Sequence, residues 1–179
     1  MFKKEDLKEF IIFVFITIAI FAPIRLFVAK PFIVSGASMY PTFETGQYLI
    51  VDKISYKLKK PERGDVVIFR YPADPSKFFI KRIIGLPGEK IEIDGKNVSI
   101  KTMDDNVVVL DEPYIEMFRD SFLSTELKDT EYFVMGDNRS ASLDSRFWGP
   151  LGEEFIIGKA FIRLTPLNKI NILPGDFNF

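Results

Sequence analysis

Apolar positions along this chain fall into two regimes. From Phe10 to Ile24 the sequence FIIFVFITIAIFAPI carries no charge; Arg25 interrupts it, and Leu26-Phe27-Val28-Ala29 continues it. The run is apolar on all sides, without the 3.6-residue spacing of a half-buried helix. As a helix, the twenty residues 10–29 would span about 30 Å, the thickness of a bilayer's hydrocarbon core. The pattern predicts one transmembrane helix over 10–29, with 1–9 before it and 30–179 as a single folded body. Pro23 would kink the distal end and Arg25 would snorkel toward head groups. A buried soluble helix and a cleaved signal peptide are the other readings. All-round apolarity argues against the first, and the lack of a small-x-small site in Leu26–Lys30 argues against the second. Lys3, Lys4 and Lys8 precede the span and Arg25 and Lys30 close it, which favours a cytoplasmic amino terminus and an external body.

After Pro31 the texture changes to short apolar segments separated by Gly and Pro. Tyr48–Val51, Asp65–Phe69, Phe79–Ile84, Lys90–Ile93, Asn97–Ile100, Glu131–Met135 and Ile156–Leu164 all read as strands. Asp94-Gly95 is a hairpin signal between two of them. Only Ser55–Lys59 and Glu153–Ile157 suggest helical turns, and 102–129 carries no readable pattern. No internal repeat is visible. Strands at this spacing predict a mainly β, antiparallel domain.

Composition narrows the chemistry. Hydrophobic residues make up 47%, enough for a real core. Lys+Arg 24 against Asp+Glu 25 gives a net charge of −1, without the basic face that nucleic acid requires. There are 0 Cys and 0 His. That removes thiol nucleophiles, thiolate and imidazole metal sites, and any Ser-His-Asp triad. Proton transfer is left to Lys, Asp, Glu or Tyr. No calcium-loop spacing is present, so no metal and no cofactor are expected.

Three segments stand out. Val34–Phe43, VSGASMYPTF, places Ser35 and Ser38 in a Gly/Pro turn just after the apolar run. If Ser38 is a nucleophile it needs a base, and lysine is the substitute when histidine is missing. A lysine serves only when neutral, which demands an apolar setting that lowers its pKa from about 10.4 to about 7–8. Lys81 meets that condition: under strand alternation it shares a face with Phe79 and Ile83, and Arg82 points the other way. A snorkelling strand-edge lysine is the plainer alternative. The third segment, Gly136–Arg146, is GDNRSASLDSR. It reads as a surface loop with Asx turns, or as a buried polar loop between apolar walls, with Asp144 and Arg146 as a charge pair.

Together these segments resemble bacterial type I signal peptidases, the Ser–Lys leader peptidase family. The matching pieces stand in the family's order: an apolar anchor, Ser35–Phe43 (SGASMYPTF), Arg63–Phe69 (RGDVVIF), Phe79–Glu89 (FIKRIIGLPGE) and Gly136–Arg146. The similarity covers about 10–165. It implies a membrane-anchored Ser–Lys endopeptidase that removes signal peptides from exported preproteins after a small-x-small motif. The implied catalytic domain has the signal-peptidase/LexA-like β fold and lies on the outer face of the cytoplasmic membrane. Signal peptides, the lipid bilayer and the export translocon would be partners, and nucleic acid would not.

By the same resemblance Ser38 is the nucleophile, Lys81 the general base and Ser142 the residue orienting that lysine. Asp144 and Arg146 match a structural ion pair, and Asp137, Asn138 and Arg139 a scaffold. Phe32, Val34 and Ile80 match pocket-lining residues; Gly36, Met39 and Phe79 complete the expected substrate-binding set. Gly36 stands where some members carry a serine that donates to the oxyanion, so backbone N–H groups would serve instead. Other possibilities are a conjugation-type or LexA-like Ser–Lys protease, and a non-catalytic membrane-anchored β binding module.

Overall fold

Strands form where apolar residues alternate, but several of their partners come from parts of the sequence with no strand signal. A computed structural model describes residues 4–23, 29–177 and 179. Helix α1 runs Lys4–Pro23 and is followed by β1 (Ala29–Ile33) and β2 (Tyr48–Asp52). Helix α2 (Ser55–Leu58) leads to β3 (Val66–Tyr71), β4 (Asp74–Gly85), β5 (Lys90–Gly95) and β6 (Asn97–Lys101). Then come β7 (Val107–Val109), β8 (Ser121–Glu126), β9 (Glu131–Met135) and α3 (Ser145–Trp148). The chain continues through β10 (Leu151–Gly152), β11 (Ile156–Arg163) and β12 (Asn171–Ile172). A 3-10 turn at Glu153–Phe155 precedes β11.

Two antiparallel sheets result. The larger is ordered β1-β2-β11-β3-β4-β9-β10 with β12 on β11; the smaller is β7-β6-β5-β8. The antiparallel β expectation therefore holds. Strand β3 shows why its sequence reads as a continuous apolar run: Val66 and Ile68 enter one core cluster with Met39, Phe43 and Leu49, and Val67 and Phe69 enter another with Ile83 and Val134. Both faces are covered, so alternation disappears. The smaller sheet packs Ile91, Ile93, Val98 and Ile100 against Ile84, Phe133 and Met135 of the larger one.

The amino-terminal segment differs from the expectation. The helix is described over Lys4–Pro23, and by Ala29 the backbone is already extended and paired with Asp52 of β2. The uncharged part of α1, Phe10–Pro23, would be about 21 Å long at 1.5 Å per residue. Among the described residues no helix is long and apolar enough to cross a membrane. The expected stretch 24–28, with Arg25, lies outside the described residues. Phe10, Ile11, Ile12, Phe13, Phe15, Ile16 and Ile18 are all exposed.

Candidate active site

Three connections meet at one place: the loop between β1 and β2 that carries Ser38, the middle of β4 that carries Lys81, and the loop after β9. The Lys81 Nζ lies 2.7 Å from Ser38 Oγ across 43 positions of sequence, and it donates to the Ile80 carbonyl at 2.9 Å. Lys81 is 3% exposed, and its Nζ lies 5.4 Å from the centre of the Phe79 ring. The shared face of Phe79, Lys81 and Ile83 read from alternation is thus an apolar wall. Burial pulls the Lys81 amine down to about 8; Asp144 and Asp137 oppose this and Arg146 reinforces it. An amine so placed is partly neutral at physiological pH and sits within proton-transfer distance of a hydroxyl. Ser35 is exposed at the rim of the same cleft and has no such partner.

The polar side chains Asp137, Asn138, Arg139, Ser142 and Asp144 of the loop after β9 are buried, whereas Ser140, Ala141 and Leu143 are exposed. The loop's backbone clamps the serine loop, with Asn138 N–H donating to the Ser38 carbonyl at 3.0 Å. Gly136 is needed for this approach: a Cβ there would stand 2.3 Å from both the Ser38 carbonyl oxygen and Ser142 Oγ. Asp144 accepts from Gly136 N–H at 3.0 Å and from Arg146 Nε and Nη2 at 2.8 and 2.9 Å. It also caps α3 through the Arg146 N–H. The Asp144–Arg146 pair expected from sequence is therefore present and buried, and it fixes the loop's return.

Ser142 behaves differently from the expectation. It is buried beside Gly136, but its Oγ makes no hydrogen bond with Lys81 or any other described group. Its place in the site is clear; the orienting contact is not formed.

Arg82 was read from the sequence only as facing away from Lys81, and the structure gives it a partner. Its Nε and Nη2 donate to Asp137 at 2.9 and 2.7 Å, with both side chains 1% exposed. Thr42 of the serine loop donates to the same carboxylate at 2.5 Å. The pair thereby ties β4, the serine loop and the loop after β9 together directly behind Ser38 and Lys81. Arg139 is similarly paired with Glu112. Opposite charges in or beside apolar strands, Arg82 within β4 and Asp137 just after β9, are the available signal, but nothing in the sequence matches one with the other.

A cleft of about 280 Å³ opens in front of the pair. Phe32, Val34, Gly36, Phe79 and Ile80 line it as expected, and Ile33, Leu49, Ile68, Phe78, Ala141 and Leu143 complete its walls. Met39 does not line it. The turn that aims Ser38 at the cleft sends the next side chain into the core, where Met39 is 1% exposed against Phe43 and Leu49. Phe32 and Phe78 meet edge to face at 5.5 Å, joining β1 to β4 across the cleft. The strands flanking it have unused edges: among the described residues β1 pairs only with β2, and β4 meets β9 only through Arg82–Gly85. Gly36 has φ +94 with open space around its Cβ position, and Thr45 Oγ1 holds its N–H at 3.1 Å. Among the described residues no cluster of acidic side chains could hold a metal.

A family model described as "Signal peptidase, peptidase S26" matches residues 7–165. The chain is 38% identical over 161 residues to a probable signal peptidase I-2 of Synechocystis, covering 86% of this chain and 71% of that one. It is 40% identical over 159 residues to a signal peptidase I of Leptolyngbya laminosa, covering 84% and 75%. Against a signal peptidase IB of Staphylococcus aureus it is 30% identical, covering 97% and 98%. A crystal structure of a signal peptidase I from Enterococcus faecalis superposes with a TM-score of 0.47 at 29% identity, over 56% of this chain and 97% of that one.

Proposed function

Since the chain belongs to the signal peptidase family, peptidase S26, and is thereby a serine endopeptidase of signal peptides, we propose that Ser38 is its nucleophile and Lys81 its general base. The observation that carries this assignment is the 2.7 Å approach of a buried lysine amine to a serine hydroxyl. Neutral Lys81 Nζ takes the Ser38 Oγ proton as Oγ attacks the carbonyl carbon at the junction. The oxyanion is met by the backbone N–H of Ser38, since Gly36 offers no side chain and Thr45 occupies its N–H. The protonated Lys81 gives its proton to the leaving amine as the C–N bond breaks. Once neutral again, it takes a proton from the water that attacks the acyl ester, and Ser38 regains its proton when the ester opens. Asp144, Arg146, Asp137, Asn138 and Arg139 hold the loop, and Ser142 packs beside the dyad.

The substrate strand would lie between β1 and β4, adding to their unused edges. Its small side chains would point at Phe32, Val34, Ile68 and Ile80. These walls fill space, so they admit alanine and reject bulk. A purified preprotein with Ala at the −3 and −1 positions should be cut, and the same preprotein with Phe at −1 should be cut at least about 100-fold more slowly. Equal rates for the two would contradict the pocket assignment.

The membrane setting belongs to the same proposal. The apolar run that begins at Phe10 is the anchor, with 1–9 cytoplasmic and the body from β1 onward outside, facing exported chains and the translocon. Support comes from the exposed Leu7, Phe10, Ile11, Ile12, Phe13, Phe15, Ile16 and Ile18 of α1, an apolar surface that lipid would cover. The excess of lysines before the run supports the orientation.

A further inference from the structure

Beyond the cleft, a second structure leans on the dyad from behind. After β12, residues 173–177 and Phe179 fold back toward Arg82. The Gly175 carbonyl accepts from Arg82 Nη1, which also donates to the Gly64 carbonyl at 2.9 Å. With Nε and Nη2 on Asp137, these bonds use nearly every donor of the guanidinium. The flat face of Arg82 lies 4.1 Å from the Tyr114 ring centre, and Tyr114 is packed edge-on by Phe177 at 5.2 Å and Phe179 at 6.3 Å. The Phe177 carbonyl rests where a Cβ of Gly64 would be, at 1.9 Å, so that position has room only for glycine. Gly175 itself closes on Thr42 of the serine loop: a Cβ there would be 2.6 Å from Thr42 Cγ2. Asp176 adds an ion pair with Lys159 at 3.0 Å.

We propose that residues 173–177 and Phe179 form a positioning strap that seals the Arg82–Asp137 pair from water and thereby keeps the dyad catalytically competent. The proposal rests on Lys81 being the general base. Its logic is electrostatic. Arg82 is the next residue after Lys81 on β4, and Asp137 bonds both to Arg82 and, through Thr42, to the serine loop. The charges facing Lys81 are Asp144 and Asp137 from the loop after β9 and Arg146 from α3. Arg82 in turn is faced by Asp137, Tyr114 and Glu112. Lifting the strap removes an acceptor from Arg82 and the Phe177 and Phe179 rings that hold Tyr114 over it, and lets water in behind the dyad. Less burial raises the affinity of Lys81 for its proton, and an Asp137 less tightly held by Arg82 raises it again. Both changes act in one direction, toward a charged and inactive lysine.

The test is the pH profile of kcat/KM for preprotein cleavage in detergent, comparing the full chain with a chain ending at Ile172 and with Phe177→Ala. The strap predicts that the acid limb moves up by about one pH unit in both. Activity at pH 7 would then fall about tenfold and recover at alkaline pH. KM should stay within about twofold, since the cleft is untouched, and Phe177→Tyr, which keeps the ring, should leave the limb in place. A segment that only adds stability would lower the melting temperature with the limb unmoved, and that result overturns the proposal. Should the shortened chain not fold, the two Phe177 variants decide alone. Failure of the strap is distinguishable from failure of the dyad: a Lys81→Met chain that still cleaves removes the base, whereas an inactive Lys81→Met beside an unmoved limb removes only the strap.

Discussion

Ser38→Ala and Lys81→Met are each expected to lower kcat/KM for a preprotein by about 10⁴-fold or more, and the double variant should be no worse than either alone. Non-additivity of that kind is the signature of groups that act as one unit. The lysine variant carries a second, opposite expectation. The Lys81 amine is pulled down to about 8 from its ordinary 10.5, so the fold bears a cost wherever the unfolded chain would still hold that proton. The cost is full below about 8, shrinks between 8 and 10.5 as the unfolded chain loses the proton too, and vanishes above. At 1.36 kcal/mol per unit the full value is about 3 kcal/mol. Lys81→Met should therefore be more stable than the unaltered chain in urea at pH 6, with the gain fading by pH 11. An inactive variant that is also less stable at pH 6 would contradict a buried, strained amine.

Asp137→Asn should cost about 3–5 kcal/mol of stability, because it leaves the Arg82 guanidinium in place without its counter-charge. Arg82 and Asp137 are each 1% exposed and joined by two hydrogen bonds of 2.9 and 2.7 Å, so neither charge can turn to water. Replacing both, with Arg82→Met and Asp137→Leu, should cost less than the single change, since no charge is then stranded. Urea unfolding of the three variants measures this. A loss under about 1 kcal/mol for Asp137→Asn, the range of a surface pair, would show that the pair is not sealed.

Legibility followed the range over which each feature is encoded. The strands around Phe69, Ile93 and Val134 could be read because each writes its apolar pattern locally. Strand β1 could not: Ala29–Ile33 holds a charge and a proline with no alternating pattern, and its pairing with β2 makes it a strand. Strand β8, Ser121–Glu126, alternates between exposed and half-buried and is a strand because β5 supplies its partner. Lys81 was readable because its pKa depends on the apolar neighbours beside it in sequence. Met39 was misplaced because one turn decides which side chain of Ser38-Met39 faces the cleft. Arg82–Asp137 spans 55 positions and the strap lies further away still, so no local pattern announces either.

The most direct measurement is the titration of the Lys81 side-chain amine itself in the full chain in detergent micelles, followed by NMR of labelled lysine, with Lys81→Met identifying the signal. A midpoint near 8 is the expected result. A midpoint near the ordinary lysine value of about 10.4 would leave this amine charged at neutral pH, and the proposed way of activating Ser38 would be wrong.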